Sequence, residues 1–332
     1  MEIINSKLGS FKFLIITIFS LFCFSADLQD KILICGVIKN GENGFLNVKK
    51  SIEKLGQRVL DYRVIIYENN STDATKDLYL DWAKSEKKLI FIHENLSKEF
   101  LENFTIKKGD YRTEHIARAR NIVLKKALNL EFDSYPYLIM VDLDDFDEWN
   151  IDEILDSIKN PEKDWDGIFA NGSYDLYALR SKEFLLSAEI LGWNLWSVFQ
   201  PYIGLKLKKI LASRRWYPVE SGFGGLAIYK REAIKGCIYK GLIDSNYIQK
   251  MKNSDYTQDF IYKKNKNTKK VIFRALSKLI EWEKSNFTPT AAPDVIYISE
   301  HIIFHHQMIE NGYDRLFINP SLTHPSKVHR NY

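Results

Sequence analysis

The chain has 332 residues, 45% of them hydrophobic and 14% aromatic, enough for a sizeable buried core and against a disordered polypeptide. Its formal net charge of +4 suits a phosphate site but falls far short of a nucleic-acid-binding domain, so no nucleic-acid partner is expected. Of its three cysteines one is Cys23, so at most Cys35 and Cys237 can bridge; a disulfide scaffold is excluded, and no CxxC pair or zinc-finger spacing occurs.

Residues 1–26 read as a signal peptide or short signal anchor: Lys7 and Lys12 flank the start of an apolar run from Phe13 to Phe24, followed by the small Ser25 and Ala26. A membrane-spanning helix needs roughly 20 apolar residues, so this run is short, and no other segment is long and apolar enough. Membrane attachment is therefore expected only through the leader, if it stays uncleaved. Sequons at Asn69, Asn70, Asn95, Asn103, Asn171 and Asn286 permit N-glycosylation.

From Lys31 onward, apolar runs alternate with amphipathic stretches, the pattern of β-α-β units around a mainly parallel sheet, which makes the expected class α/β. Strands are expected at Lys31 to Val37, Arg63 to Tyr67, Leu89 to His93 and Tyr137 to Val141. The intervening helices are expected at Phe45 to Leu55, at Ala74 to Trp82 behind a Ser71 or Thr72 cap, and at Arg112 to Leu130. Further on, short strands are expected at Gly167 to Ala170 and Gly224 to Tyr229, separated by an irregular aromatic and basic stretch from Ser181 to Tyr217. The Lys- and Asn-rich segment over about 240–290 reads as a solvated insertion. A last helix, Glu300 to Glu310, starts at an N-cap Ser299 and closes at Asn311-Gly312.

Chemistry-bearing residues gather where these strands end. Asp142-Leu143-Asp144 follows a buried strand whose carboxyl end opens into the crevice where α/β sheets bind ligands. Hard divalent cations such as Mn²⁺ or Mg²⁺ prefer carboxylate oxygens and bridge phosphates, which makes Asp144 the candidate metal ligand and places Asp142 at the ribose or the metal. A solvated acidic turn, with Asp145 and Asp147 capping a helix, is the competing reading. Glu68, Asn70 and Asp73 end the second strand, and Val37, Lys39 and Asn40 end the first; both ends can meet a nucleotide's ribose and base, although Glu68 to Asp73 also suits a plain helix-capping turn. The helix from Arg112 carries Arg118 and Arg120 on other faces, and Arg120 with Asn121 is the candidate for a diphosphate, against a surface ion-pair role.

Glu300, in the first turn of the last helix, suits a general base or a helix-dipole carboxylate. His301 and His305 share a helix face, but without the Glu of a zinc-protease pattern a zinc site is not expected. His324 or His329 can supply a cation's last ligand. Trp193, Trp196 and Trp216 can pack on sugar rings or in the core.

In this order, the motifs resemble the GT-A glycosyltransferases: a Rossmann-like nucleotide-binding half over about 31–150 and an acceptor half over about 151–332, with Gly224-Gly225 as a donor-side and acceptor loop. More narrowly, Ile66-Tyr67-Glu68, Ser71-Thr72-Asp73, Thr75-Lys76, Arg120-Asn121, Tyr217-Pro218-Val219, Ser299-Glu300 and Leu316-Phe317-Ile318-Asn319-Pro320 resemble the fungal capsule-associated α-1,3-mannosyltransferases, patchily from Lys31 to Pro320. That resemblance implies GDP-mannose as donor, ahead of a UDP-hexose, and retention of the anomeric configuration. The full DxD, Gly224-Gly225 and Glu300-His301 are equally similar to inverting family-2-type enzymes, with His301 in place of the Asp of their Glu-Asp base motif.

The expected activity is metal-dependent transfer of a hexose from a nucleotide sugar to a hydroxyl on a glycan, glycolipid or protein. Asp142 and Asp144 would hold the cation, Arg120 would stabilise the leaving charge, and Glu300 would act on the acceptor. A leader combined with a nucleotide-sugar site implies the ER or Golgi lumen or secretion. The alternatives are a nucleotidyltransferase of similar layout and a catalytically dead, lectin-like or host-interaction protein.

Overall fold

The alternation of apolar and amphipathic runs builds one eight-stranded sheet with helices packed on both faces. The computed structural model describes residues 27–103, 112–144, 147–160, 163–172, 175–181, 184, 193–244 and 295–324; the leader, His329 and most of the Lys- and Asn-rich segment lie outside them. Among the described residues no helix is long and apolar enough to cross a membrane.

Strands β1 (Leu28–Ile38), β2 (Val59–Asn69), β3 (Leu89–Glu94) and β4 (Tyr137–Asp142) pair in parallel in the order β3-β2-β1-β4. They are continuous apolar runs because both faces are covered, and alternate residues enter opposite cores. Leu33 and Cys35 of β1 join the core beneath α4 (Arg112–Ala127) and α7 (Glu300–Glu310), while Ile32 and Ile34 pack with α1 (Phe45–Gly56), α2 (Thr75–Ser85) and α5 (Ile151–Lys159). β1 lies between β2 and β4, so strand order reverses there and a crevice opens at their carboxyl ends, where Val37 pairs with Asp142.

Beyond β4 the sheet continues through β7 (Leu226–Lys230), which runs antiparallel to both β4 and β5 (Gly167–Ala170). β10 (Leu316–Asn319) then pairs parallel to β5, and β6 (Tyr217–Pro218) closes the edge. A separate ribbon joins β8 (Leu242–Asp244) to β9 (Val295–Tyr297). Short helix α3 (Lys98–Asn103) follows β3.

Several expectations are corrected. Neither Ser71 nor Thr72 caps α2; the helix starts at Thr75, whose N–H donates to the Asp73 carboxylate at 3.0 Å. The stretch expected to be irregular contains α6 (Trp193–Leu211), with Pro201 inside it. Asp147 does not cap the helix after β4: that helix, α5, starts at Ile151, and Asn150 accepts the Glu153 N–H. Ser299 stands at the N-cap of α7 without a side-chain cap bond, while Gly312 closes the helix with φ 89°. Cys35 and Cys237 are buried free thiols, and burial pushes the Cys237 thiol up to about 11.

Candidate active site

The loops after β1 and β2 are laced together. Asn40 donates its N–H to Ser71 and accepts from the Thr72 N–H, and the Gly41 N–H donates to Thr75 Oγ1 at 2.8 Å. Asp73 accepts from the Glu42 N–H and from Thr75. Desolvation opposes its charge, but these bonds, those from Thr75 foremost, outweigh it and hold the carboxyl below its ordinary value. Asn40 and Asn70 adopt left-handed φ of 54° and 53°, a conformation that asparagine tolerates well. The amides of Asn70 and Asn171, two of the sequon asparagines, are bonded within the fold, to Leu96 and Pro320.

This lacing frames a cleft of about 690 Å³ at the carboxyl ends of β1 and β2. Val37, Lys39 and Asn40 line it, together with Tyr67, Asn69, Lys98, Arg112 and His115, and no acidic side chain is among its described lining residues. Glu68, expected to face the nucleotide, lies on the other face of the sheet. Strand alternation sends Tyr67 and Asn69 to the cleft and turns Glu68 with Ile66 toward the α1–α2 side. There Glu68 is fully buried, accepts the Ser71 N–H at 2.7 Å and meets His93 Nδ1 at 2.5 Å.

A second cluster adjoins the cleft across the β1–β4 pairing. Leu143 packs against Gly36, where even a methyl group would lie 2.5 Å from Leu143 Cδ1, and this anchors the turn between Asp142 and Asp144. Arg120 Nη2 donates to Asp142 Oδ1 at 3.0 Å, and its Nε lies 3.1 Å from Glu300 Oε1. The guanidinium is 3% exposed and stands 4.5 Å from the Phe223 ring centre. Burial opposes its charge, but Asp142 and Glu300 outweigh that effect and raise its pKa. Burial raises the Glu300 carboxyl, and Arg120 offsets part of the shift. Asp175, which no local pattern singled out, joins the cluster electrostatically: burial first, then Glu300 and Asp142, keep its carboxyl well above the ordinary range.

Other expected site residues shape the surroundings. Gly224 and Gly225 have φ of 62° and 91°, and the Gly225 carbonyl accepts the Asp142 N–H at 2.8 Å. A Cβ on Gly224 would lie 2.3 Å from the Ala170 carbonyl oxygen, so the loop requires glycine there. The carboxamide of Asn121, expected beside Arg120 at a diphosphate, pairs with both the N–H and the carbonyl of Tyr239 at 2.8 Å. Asp142, Asp144 and His324 were expected to share a cation. Among the described residues, no three His, Cys, Asp or Glu side chains form a ligand set. Buried His324 instead points Nε2 at the Asp142 carbonyl oxygen, 3.2 Å away.

His305 bonds Ser221 Oγ and Tyr229 OH, and burial, with the Arg120 charge, depresses it to about 3. His301, also neutral, stacks on Phe223 at 3.9 Å, 3.6 Å from Glu300 Oε1. Trp216, half-buried at the margin of the core, lies against Phe317 at 6.0 Å, and the side chains of Trp193 and Trp196 fall outside the described residues.

No protein-family model and no curated protein matches the chain. Among solved structures it is similar to the mannosyltransferase PcManGT from Pyrobaculum calidifontis in complex with GDP-Man and Mn²⁺, with 17% identity and a TM-score of 0.36, covering 62% of this chain and 46% of that one. It is also similar to S. aureus TarS 1-349, with 17% identity and a TM-score of 0.32 over 63% and 50% of the two chains. A third likeness is to glucosyl-3-phosphoglycerate synthase from Mycobacterium tuberculosis in complex with Mn²⁺, UDP and glucosyl-3-phosphoglycerate, with 15% identity and a TM-score of 0.32 over 63% and 59%. The chain thus spans about half the length of these three solved structures, 46% to 59%.

Proposed function

We propose that the chain is a GT-A-type glycosyltransferase that moves a hexose from a nucleoside-diphosphate sugar to a hydroxyl acceptor. The observation that carries this reading is the basic cleft at the strand-order reversal, with Lys39, Lys98 and Arg112 among its described lining residues, set beside the Asp142–Arg120–Glu300 cluster. A cationic cleft with an aromatic wall suits a nucleoside diphosphate, and the neighbouring carboxylates suit the cation and the acceptor.

Two carboxylates at one strand end, Asp142 and Asp144, are the residues that would hold a hard divalent cation. When bound, such a cation neutralises charge on the departing diphosphate. Glu300, kept from bulk water, is the residue facing the acceptor: it takes the hydroxyl proton in an inverting transfer and orients the hydroxyl in a retaining one.

GDP-mannose is the proposed donor, with a UDP-hexose its competitor; the sequence resemblance supports this order. Base choice falls to Val37, Asn40 and Asn69, since Glu68 lies across the sheet and Asp73 is tied into the loops. The leader over residues 1–26 supports a place in the secretory lumen.

A screen of donor hydrolysis and transfer across nucleotide sugars, with and without Mn²⁺, tests the proposal. Asp144→Asn should abolish cation-dependent turnover while leaving the circular dichroism spectrum unchanged. No turnover of any nucleotide sugar by the wild type, or full activity of Asp144→Asn in excess chelator, would overturn it.

A further inference from the structure

Helix α4 distributes its basic residues over different faces. Arg112, His115, Ile116 and Ala119 are spaced as one helical stripe, and all four line the cleft. Arg118 lies off that stripe and is committed to Tyr67 OH at 2.8 Å and Glu94 at 2.7 Å. Arg120 is also off the stripe, enclosed between Asp142 and Glu300.

Arg112 differs from both. It is exposed, and neither it nor Lys39, at the end of β1, makes a hydrogen bond or ion pair among the described residues. Its charge reaches the acidic cluster, where it acts on Glu300. Lys39 and Arg112 thus share one cleft with Lys98, and its described lining residues include no carboxylate. Two cations such as Lys39 and Arg112, converging on a concave surface with no ion-pair partner among the described residues, attract an anion, whereas a guanidinium already bridging two carboxylates has little charge left to offer one.

We propose that Arg112, supported by Lys39, binds the diphosphate of the donor, and that Arg120 is a positioning residue that holds Asp142 and Glu300 together without touching it. This assignment rests on the nucleotide-sugar reading of the cleft. A guanidinium suits the task because its planar fork can donate to two phosphate oxygens at once.

Calorimetric titration of wild type, Arg112→Ala, Arg112→Lys and Lys39→Ala with UDP, GDP, uridine and guanosine, all with Mn²⁺ present, tests it. Arg112→Ala should weaken the better-bound diphosphate about 10- to 100-fold and leave the nucleosides unaffected. Arg112→Lys should recover part of the loss, and Lys39→Ala should show a smaller one. Diphosphate binding by Arg112→Ala within about twofold of wild type, or an equal loss for nucleoside and diphosphate, would overturn the assignment while the cleft reading stands. Failure of the wild type to bind either diphosphate would remove both.

Discussion

Arg120→Met removes a buried cation that two carboxylates share and leaves a side chain of similar length. Glu300, whose side chain is 8% exposed, loses the arginine paired with it, and Asp142, 28% exposed, loses its bond to Nη2. Breaking a buried pair by deleting one partner costs about 3–5 kcal/mol. The partial exposure of Asp142 favours the lower end, so a loss of about 3 kcal/mol is expected near neutral pH, or about 6–12 °C in melting temperature.

The pH dependence follows from Glu300. Its folded pKa is already raised above 4.5 by burial, and it should rise further once Arg120 is gone. A group with a raised folded pKa binds its proton more tightly in the folded state. Its penalty is therefore full above the folded pKa and is relieved as pH falls from there toward the unfolded value. Urea denaturation of wild type and Arg120→Met at about pH 7.5 and about pH 5.5 should show the difference narrowing at the lower pH. A variant within about 1 kcal/mol of wild type at the higher pH would refute the shared-cation account, as would a difference that does not change with pH.

Glu300→Gln should reduce transfer far more than donor affinity, and product anomers identified by NMR should then assign inversion or retention; equal losses in donor affinity and melting temperature would mark a purely structural residue. Gly224→Ala combines a φ of 62° with a Cβ 2.3 Å from the Ala170 carbonyl, so melting should fall by about 1–3 kcal/mol or more. An unchanged melting temperature would mean that the Gly224 loop is not built as described. Because burial depresses His305 from 6.5 to about 3, it remains neutral in the fold while the unfolded chain gains a proton. Its contribution is therefore full above 6.5 and lost as pH falls toward about 3. The slope of unfolding free energy against pH across that window should be shallower in His305→Phe than in wild type.

The sequence by itself determined the parallel half of the fold. Runs such as Ile32 to Cys35 and Leu138 to Val141 are continuous because both faces are buried, so the strands and the positions of their carboxyl ends are locally visible. The left-handed stop at Gly312 is equally local, since it depends on backbone sterics alone. Strand order beyond β4 was not legible, because β7 enters between β4 and β5 through pairings far apart in the chain. Helix α6 was hidden by its aromatic and basic composition and by Pro201.

Within the site, only tertiary structure decided which polar groups face the cleft. Glu68 and Asn69 are neighbours in sequence, yet strand pleating separates them by the thickness of the sheet. Arg112 and Arg120 lie on one helix, and Arg120 was the expected diphosphate ligand, yet packing buries it between Asp142 and Glu300 and leaves Arg112 in the cleft. Asp175 carries no local signature, because its raised proton affinity comes from burial and from carboxylates brought there by other elements. Composition and periodicity record what each residue can do; which of those capacities is used depends on the neighbours that the fold supplies.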